Sequence, residues 1–246
     1  MIDIFRSEWT KIRSVRSTVW TLAVTAALML GFAALIGSAA KGSAEGPIEG
    51  LQAIGMSLTG TMIASVSMAT LGVLVISSEY RTGGIRTSLM AVPRRIRLLT
   101  GKIVVFLAIS LVVCTVASAG AIGVGLAIIQ PASVAPADVA GSALGSGLYL
   151  TACGLFGLGL GTLVRHTPGA IVSAIALILV LPALVNQLPG AWGRTVAEYF
   201  TTNAGLLIVS GQSSGSLGPW SGFAVYLAWV AVAVLAGAVL LKRRDA

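Results

Sequence analysis

SSEYRTGGIRTSLMAVPRRIRLLTGK, residues 77–102, separates two long apolar runs and holds six of the sixteen Lys and Arg residues: Arg81, Arg86, Arg94, Arg95, Arg97 and Lys102. A basic stretch between two runs of membrane-spanning length reads as a cytoplasmic loop, because Lys and Arg bias the loops they occupy toward that side. Within it Thr82 is placed to cap a helix over 83–91, its hydroxyl accepting from an amide one turn on, and Pro93 disfavours helix at Val92 and ends it. On that helix Ile85 and Leu89 share a face with Ser88 at its edge, while Arg86 and Met90 lie on another. Gly83 and Gly84 bring backbone amides close to whatever sits at the helix start. A short helix across the base of two spans is a lever, since a partner that grips it tilts both.

Working outward, composition says that the lever belongs to a membrane protein. Of 246 residues 56% are hydrophobic and 10% charged, where a soluble domain has about a quarter of its residues charged. Apolar runs at 18–38, 54–76, 103–129, 143–164, 168–188 and 223–241 give six expected transmembrane helices. Each reaches across about 30 Å of hydrocarbon at a rise of about 1.5 Å per residue. The basic leader and small residues Gly37 to Ala40 imitate a signal peptide around the first run, but that run is too long for one and more spans follow, so it is read as retained. Thr167 is expected to cap the fifth span, with Pro168 at its first position, and Pro182 to kink it.

Six spans leave both termini on one side, and the charges choose the side. Arg6, Lys11, Arg13, Arg16, the six cations of 77–102, Arg165, Lys242, Arg243 and Arg244 lie on the side predicted to be cytoplasmic, and only Lys41 and Arg194 on the other. The acidic residues split evenly, so this is the Lys/Arg asymmetry that orients membrane proteins. The net charge of +8 therefore reads as topology, and a nucleic-acid partner is not expected. Cys114 and Cys153 both fall inside apolar runs, with no spacing that suggests a disulfide framework or zinc.

Residues 1–17 suit an amphipathic helix lying along the headgroups, with Phe5, Trp9 and Ile12 on one face and Glu8 interrupting it, able to pair with Lys11. Residues 189–221 form the longest external connection. Its aromatic, small and aliphatic mixture fits either a re-entrant helix covered by protein or one lying flat with Trp192, Tyr199 and Trp220 at headgroup level. Gly141 with Gly145, and Gly157 with Gly161, stand at the spacing that lets helices approach closely, first of all within the molecule.

The runs contain no Asp, Glu, Lys or Arg. Ion-coupled transporters use such groups near the midplane, so gradient coupling is disfavoured. The phosphate-cradling G-x-x-x-x-G-K-[ST] is missing, as are G-x-S-x-G and paired carboxylates, and the single histidine, His166, reads as a capping or surface residue. No catalytic, cofactor or metal residues are expected; if the chain moves something, the energy comes from another subunit.

The order E-Y-R-T-G-G-I-R-T-S-L-x-x-x-P-R-R from Glu79 to Arg95, followed by Lys102, resembles the cytoplasmic loop of type-2 ABC transporter permeases. The resemblance extends to E-W-x-K at Glu8 to Lys11, six spans, a re-entrant segment before the last span and the chain length. Gly84 stands where many members have Thr. One-sided charge accounts for the arginines but not for the Glu-Tyr-Arg-Thr-Gly order.

The resemblance implies that Glu79, Tyr80, Arg81, Gly83, Gly84, Arg86, Pro93 and Arg94 form a coupling helix that docks on a separate ATP-binding subunit. ATP and magnesium would belong to that subunit, and a second permease chain would complete the pathway. The expectation is an all-α permease in a prokaryotic plasma membrane, exporting a hydrophobic or amphipathic substrate. The alternatives are a non-transporting scaffold or immunity subunit and, less favoured, an ion-coupled secondary transporter.

Overall fold

An apolar run that enters a bilayer folds as a helix because only then does each backbone group find a partner within its own segment. The computed structural model describes residues 10, 16–43, 46–81 and 95–243. Among them the chain is helical almost throughout and without strands, and six helical stretches are long and apolar enough to cross a membrane.

The first stretch is α1 (Arg16–Ser43), and the second is built from α2 (Gly50–Ser57) and α3 (Thr61–Arg81). The third and fourth are α4 (Arg95–Ile129) and α5 (Pro136–Val164). The fifth joins α6 (Thr167–Ile175), a π-helical turn (Ala176–Val180) and α7 (Leu181–Val185). Three short helices follow, α8 (Gly190–Glu198), α9 (Thr201–Gly205) and α10 (Leu207–Ser210), before α11 (Pro219–Arg243) closes the bundle. Arg16, Arg95, Arg165 and Arg243 fall at one end, called here the basic end. Ser43, Gly50, Pro136 and α8 to α10 fall at the far end.

Local chemistry modifies the expected spans in three places. The second stretch is interrupted at Leu58 to Gly60, where the Thr59 hydroxyl donates to Met56 O (2.8 Å) and α3 starts anew. The break lies against α1: a Cβ on Gly60 would stand 3.0 Å from Phe32 Cβ and 3.2 Å from Met29 Cα. At the basic end α5 terminates on Arg165 in the left-handed region (φ 55°), and α6 is capped by His166 and not by Thr167. The His166 Nδ1 accepts from the Gly169 amide at 3.3 Å, so the lone histidine serves a helix N-terminus and Thr167 becomes the first helical residue. The third change precedes Pro182, where a kink was expected and a π turn is found.

α5 is the hub. It packs against α3, α4 and α11, and Tyr149, Leu150, Cys153, Phe156 and Leu158 on it are fully or almost fully buried. Its glycines make this possible. A Cβ on Gly157 would run into the Ala69 carbonyl of α3, one on Gly159 would stand 2.9 Å from the α11 backbone at Ala233, and one on Gly154 2.7 Å from the Phe106 ring of α4. α3 reciprocates with Gly72, set against the Gly154 carbonyl. Gly145 and Gly161 are in equally close contact within the chain, against Ile208 and Ile76, whereas Gly141 has open space around it.

Hydroxyl and thiol groups cross-link the same helices. Ser146 on α5 accepts from Ser118 of α4 at 2.9 Å and lies 3.2 Å from Thr61 Oγ1 of α3, while Tyr226 OH of α11 donates to Cys153 Sγ at 3.2 Å. Bonds of this kind between membrane helices are worth about 0.6 kcal/mol each, so close backbone packing carries more of the assembly than they do.

Gly157→Ala is therefore expected to force α3 and α5 apart and to cost about 1–3 kcal/mol, seen as a lower thermal midpoint of the detergent-solubilised protein. Gly141→Ala, with nothing for its methyl to meet, leaves the midpoint unchanged or raises it.

Candidate functional site

The basic loop is held by two helices whose feet are in the core. On its N-terminal side α3 carries the backbone of Glu79, Tyr80 and Arg81 in its last turn, as a continuation of the second span. Just before them Ile76 and Ser77 are buried at 3% and 2% exposure, and Ile76 Cγ2 occupies the space a Cβ on Gly161 of α5 would need, 2.5 Å away. On the C-terminal side α4 opens at Arg95, well before the apolar run, and buries Leu99 and Lys102 at 5% and 2% exposure. At about 1.5 Å per residue α4 is some 50 Å long, more than a hydrocarbon core requires.

Lys102, expected in the loop itself, is a buried helical residue engaged in a polar interaction. Burying an ammonium group is costly unless it is paired, which fits the interaction that Lys102 makes. Gly83, Gly84, Arg86, Pro93 and Arg94, together with the Thr82 cap and the helix over 83–91, lie outside the described residues, as do the side chains of Glu79, Tyr80 and Arg81. Phe5, Glu8, Trp9 and Ile12 of the N-terminal helix also lie outside them; of the leader before Arg16 only Thr10 is described.

The far end holds polar geometry that the sequence did not signal. Glu198 ends α8, and its Oε1 accepts from the Ser216 amide (2.5 Å), the Ser216 hydroxyl (2.8 Å) and the Leu217 amide (3.1 Å). The turn it grips is closed by paired bonds between Ser214 and Leu217, with Gly215 at φ 58° packed on the carboxylate. Tyr199 OH meets Ser216 Oγ at 3.0 Å, and its carbonyl accepts from Trp229 Nε1 of α11 at 3.1 Å. The Ser216 hydroxyl first, then the Ser216 amide, hold the Glu198 carboxyl below the usual carboxylate range, outweighing the opposing effect of partial desolvation.

Next in the chain, Thr201 and Thr202 are buried and donate to Leu177 O and Ile178 O of the π turn, each at 2.9 Å, and Asn203 Nδ2 donates to Asn186 Oδ1 at 2.9 Å. α9 is thereby pressed between the fifth span, α5 and α11, where Gly205 abuts the rings of Tyr149 and Tyr226. Beside it a cleft of about 390 Å³ opens between the starts of α5 and α11 and the end of α10, with Leu51, Asp138, Ile208 and Trp220 on its walls. Among the described residues no three His, Cys, Asp or Glu side chains come together.

A family model described as "ABC-2 family transporter protein" matches residues 4–183. No curated protein matches the chain.

Because its folded carboxyl value is lowered, Glu198 supports the 214–217 turn fully above the usual carboxylate range, and that support is lost as pH falls through the lowered value. Amide-exchange protection of Ser216 and Leu217 is expected to fall on acidification, and Glu198→Gln should lower it at neutral pH and flatten the acid response.

Proposed function

The chain belongs to the ABC-2 transporter family and is a multi-pass membrane permease subunit; from that premise we propose that it exports a hydrophobic or amphipathic substrate under the drive of a separate ATP-binding subunit. The observation that supports this reading is the stretch 77–102, with its Glu-Tyr-Arg-Thr-Gly order, whose two ends continue α3 and α4 and are buried at Ser77, Leu99 and Lys102. Load applied to such a loop reaches α3 and α4 directly, and through them α5. Glu79, Tyr80, Arg81, Gly83, Gly84, Arg86, Pro93 and Arg94 are the proposed docking group, and ATP with magnesium would be held on the partner.

The chain's own groups supply no alternative engine. The six apolar runs contain no carboxylate, ammonium or guanidinium to bind and release a coupling ion. A second permease chain completes the pathway in this reading. Both termini and the 77–102 loop lie in the prokaryotic cytoplasm, as the one-sided Lys and Arg residues support. The far end then faces outward, and 189–221 is a re-entrant segment. Support for that comes from Thr201 and Thr202, which bond to carbonyls near the middle of the fifth span, deeper than a helix lying on the surface would reach. The outer cleft joins apolar walls to Asp138 and Trp220 and suits a substrate with both an apolar and a polar part.

Co-purification with a candidate ATP-binding subunit tests the docking group. Capture is expected to be lost on Glu79→Lys and on Gly83→Pro; capture unchanged by both would remove the assignment. Reconstituted vesicles should move substrate with ATP and not with an imposed ion gradient alone, and the reverse result would overturn ATP-driven export.

A further inference from the structure

The fifth span contains a defect that the segment after it repairs. Pro182 has no amide hydrogen, so a helix running through it loses a backbone bond. The π turn shifts where the loss falls: the Leu181 amide bonds back to Ala176 O, five residues earlier. The Leu177 carbonyl has then lost Leu181 as its α-helical donor, and its donor one residue further on would be Pro182. The Ile178 carbonyl would look to Pro182 as its ordinary α-helical donor. Two adjacent carbonyls near the middle of a membrane span thus face a residue that cannot donate, which in hydrocarbon is costly.

These are the two carbonyls that receive Thr201 Oγ1 and Thr202 Oγ1, each at 2.9 Å, from side chains 0% and 3% exposed. The third consecutive residue, Asn203, bonds to Asn186 just past α7. We propose that Thr201 and Thr202 are positioning residues that stand in for the missing proline hydrogen, making Ala176–Val180 a hinge whose closed state is defined by these hydroxyls. Closed, α7 and α9 are locked to each other and to the rest of the fifth span. Open, the three donors leave together and the two carbonyls turn to water entering from the far end, so the span can bend at one place without stranding a backbone group in lipid.

The hinge does not depend on the ATP-binding subunit, so it is tested on the purified full-length chain in lipid nanodiscs by hydrogen–deuterium exchange. Thr202→Val should raise exchange across 199–210 and 183–188 by about fivefold, the factor for one net hydrogen bond, while Thr202→Ser should match the parent. Pro182→Ala returns the amide hydrogen that lets the turn relax to α register and donate to Ile178 O, and in that background Thr202→Val should change exchange less than about twofold. Equal effects of Thr202→Val in both backgrounds, or a Thr202→Ser variant as impaired as Thr202→Val, would overturn the proposal. If Thr202→Val fails to accumulate, accumulation of its double variant with Pro182→Ala is the same rescue, and failure of both variants counts against the hinge.

Discussion

At the depth of a lipid tail there is no water to complete a backbone hydrogen bond, and the irregularities within the described spans answer to that scarcity. Six helices satisfy it along most of their length. Where a helix breaks, a replacement donor or acceptor stands ready: Thr59 at the interruption of the second span, the His166 ring at the start of the fifth, and the hydroxyls of Thr201 and Thr202 at its middle. A helix through Pro182 is tolerable here because a neighbouring segment completes it.

The same scarcity explains the composition of α5. Apolar burial offers little drive for one helix to prefer another over lipid, so association depends on close contact. Glycine in a helix costs about 0.5–1 kcal/mol each, and α5 carries Gly154, Gly157, Gly159 and Gly161 in its last turns. Each is matched by a backbone or side chain that could not come so near a Cβ. The intrinsic weakness of the helix is exchanged for packing on three sides, which makes it the common partner of α3, α4 and α11.

Much of this was legible from residues alone, for identifiable reasons. Apolar length forecasts spans, and the residue order around Glu79 to Arg95 forecasts the family because it is carried by residue types as well as charge. What stayed hidden depended on partners distant in the chain. Thr167 is the cap that the sequence favours, and only the position of the ring shows His166 in that role. Lys102 looked like one more loop cation, since nothing local reveals that α4 starts at Arg95 and turns its ammonium inward. Glu198, Thr201 and Thr202 sit in a polar, loop-like passage, and their partners lie about 18 and 24 residues away. Pro182 announced a kink, but not which hydroxyls would mend it.

The hub has a bearing on how the chain is made. α3 and α4 meet chiefly through α5, which emerges from the ribosome after both. Until it is threaded in, α3 lacks its main docking surface, while α4 can already pack on α1. Insertion of the fourth span is therefore the step at which α3 is joined to the pair formed by α1 and α4, and the surface that later receives α11 is laid down with it.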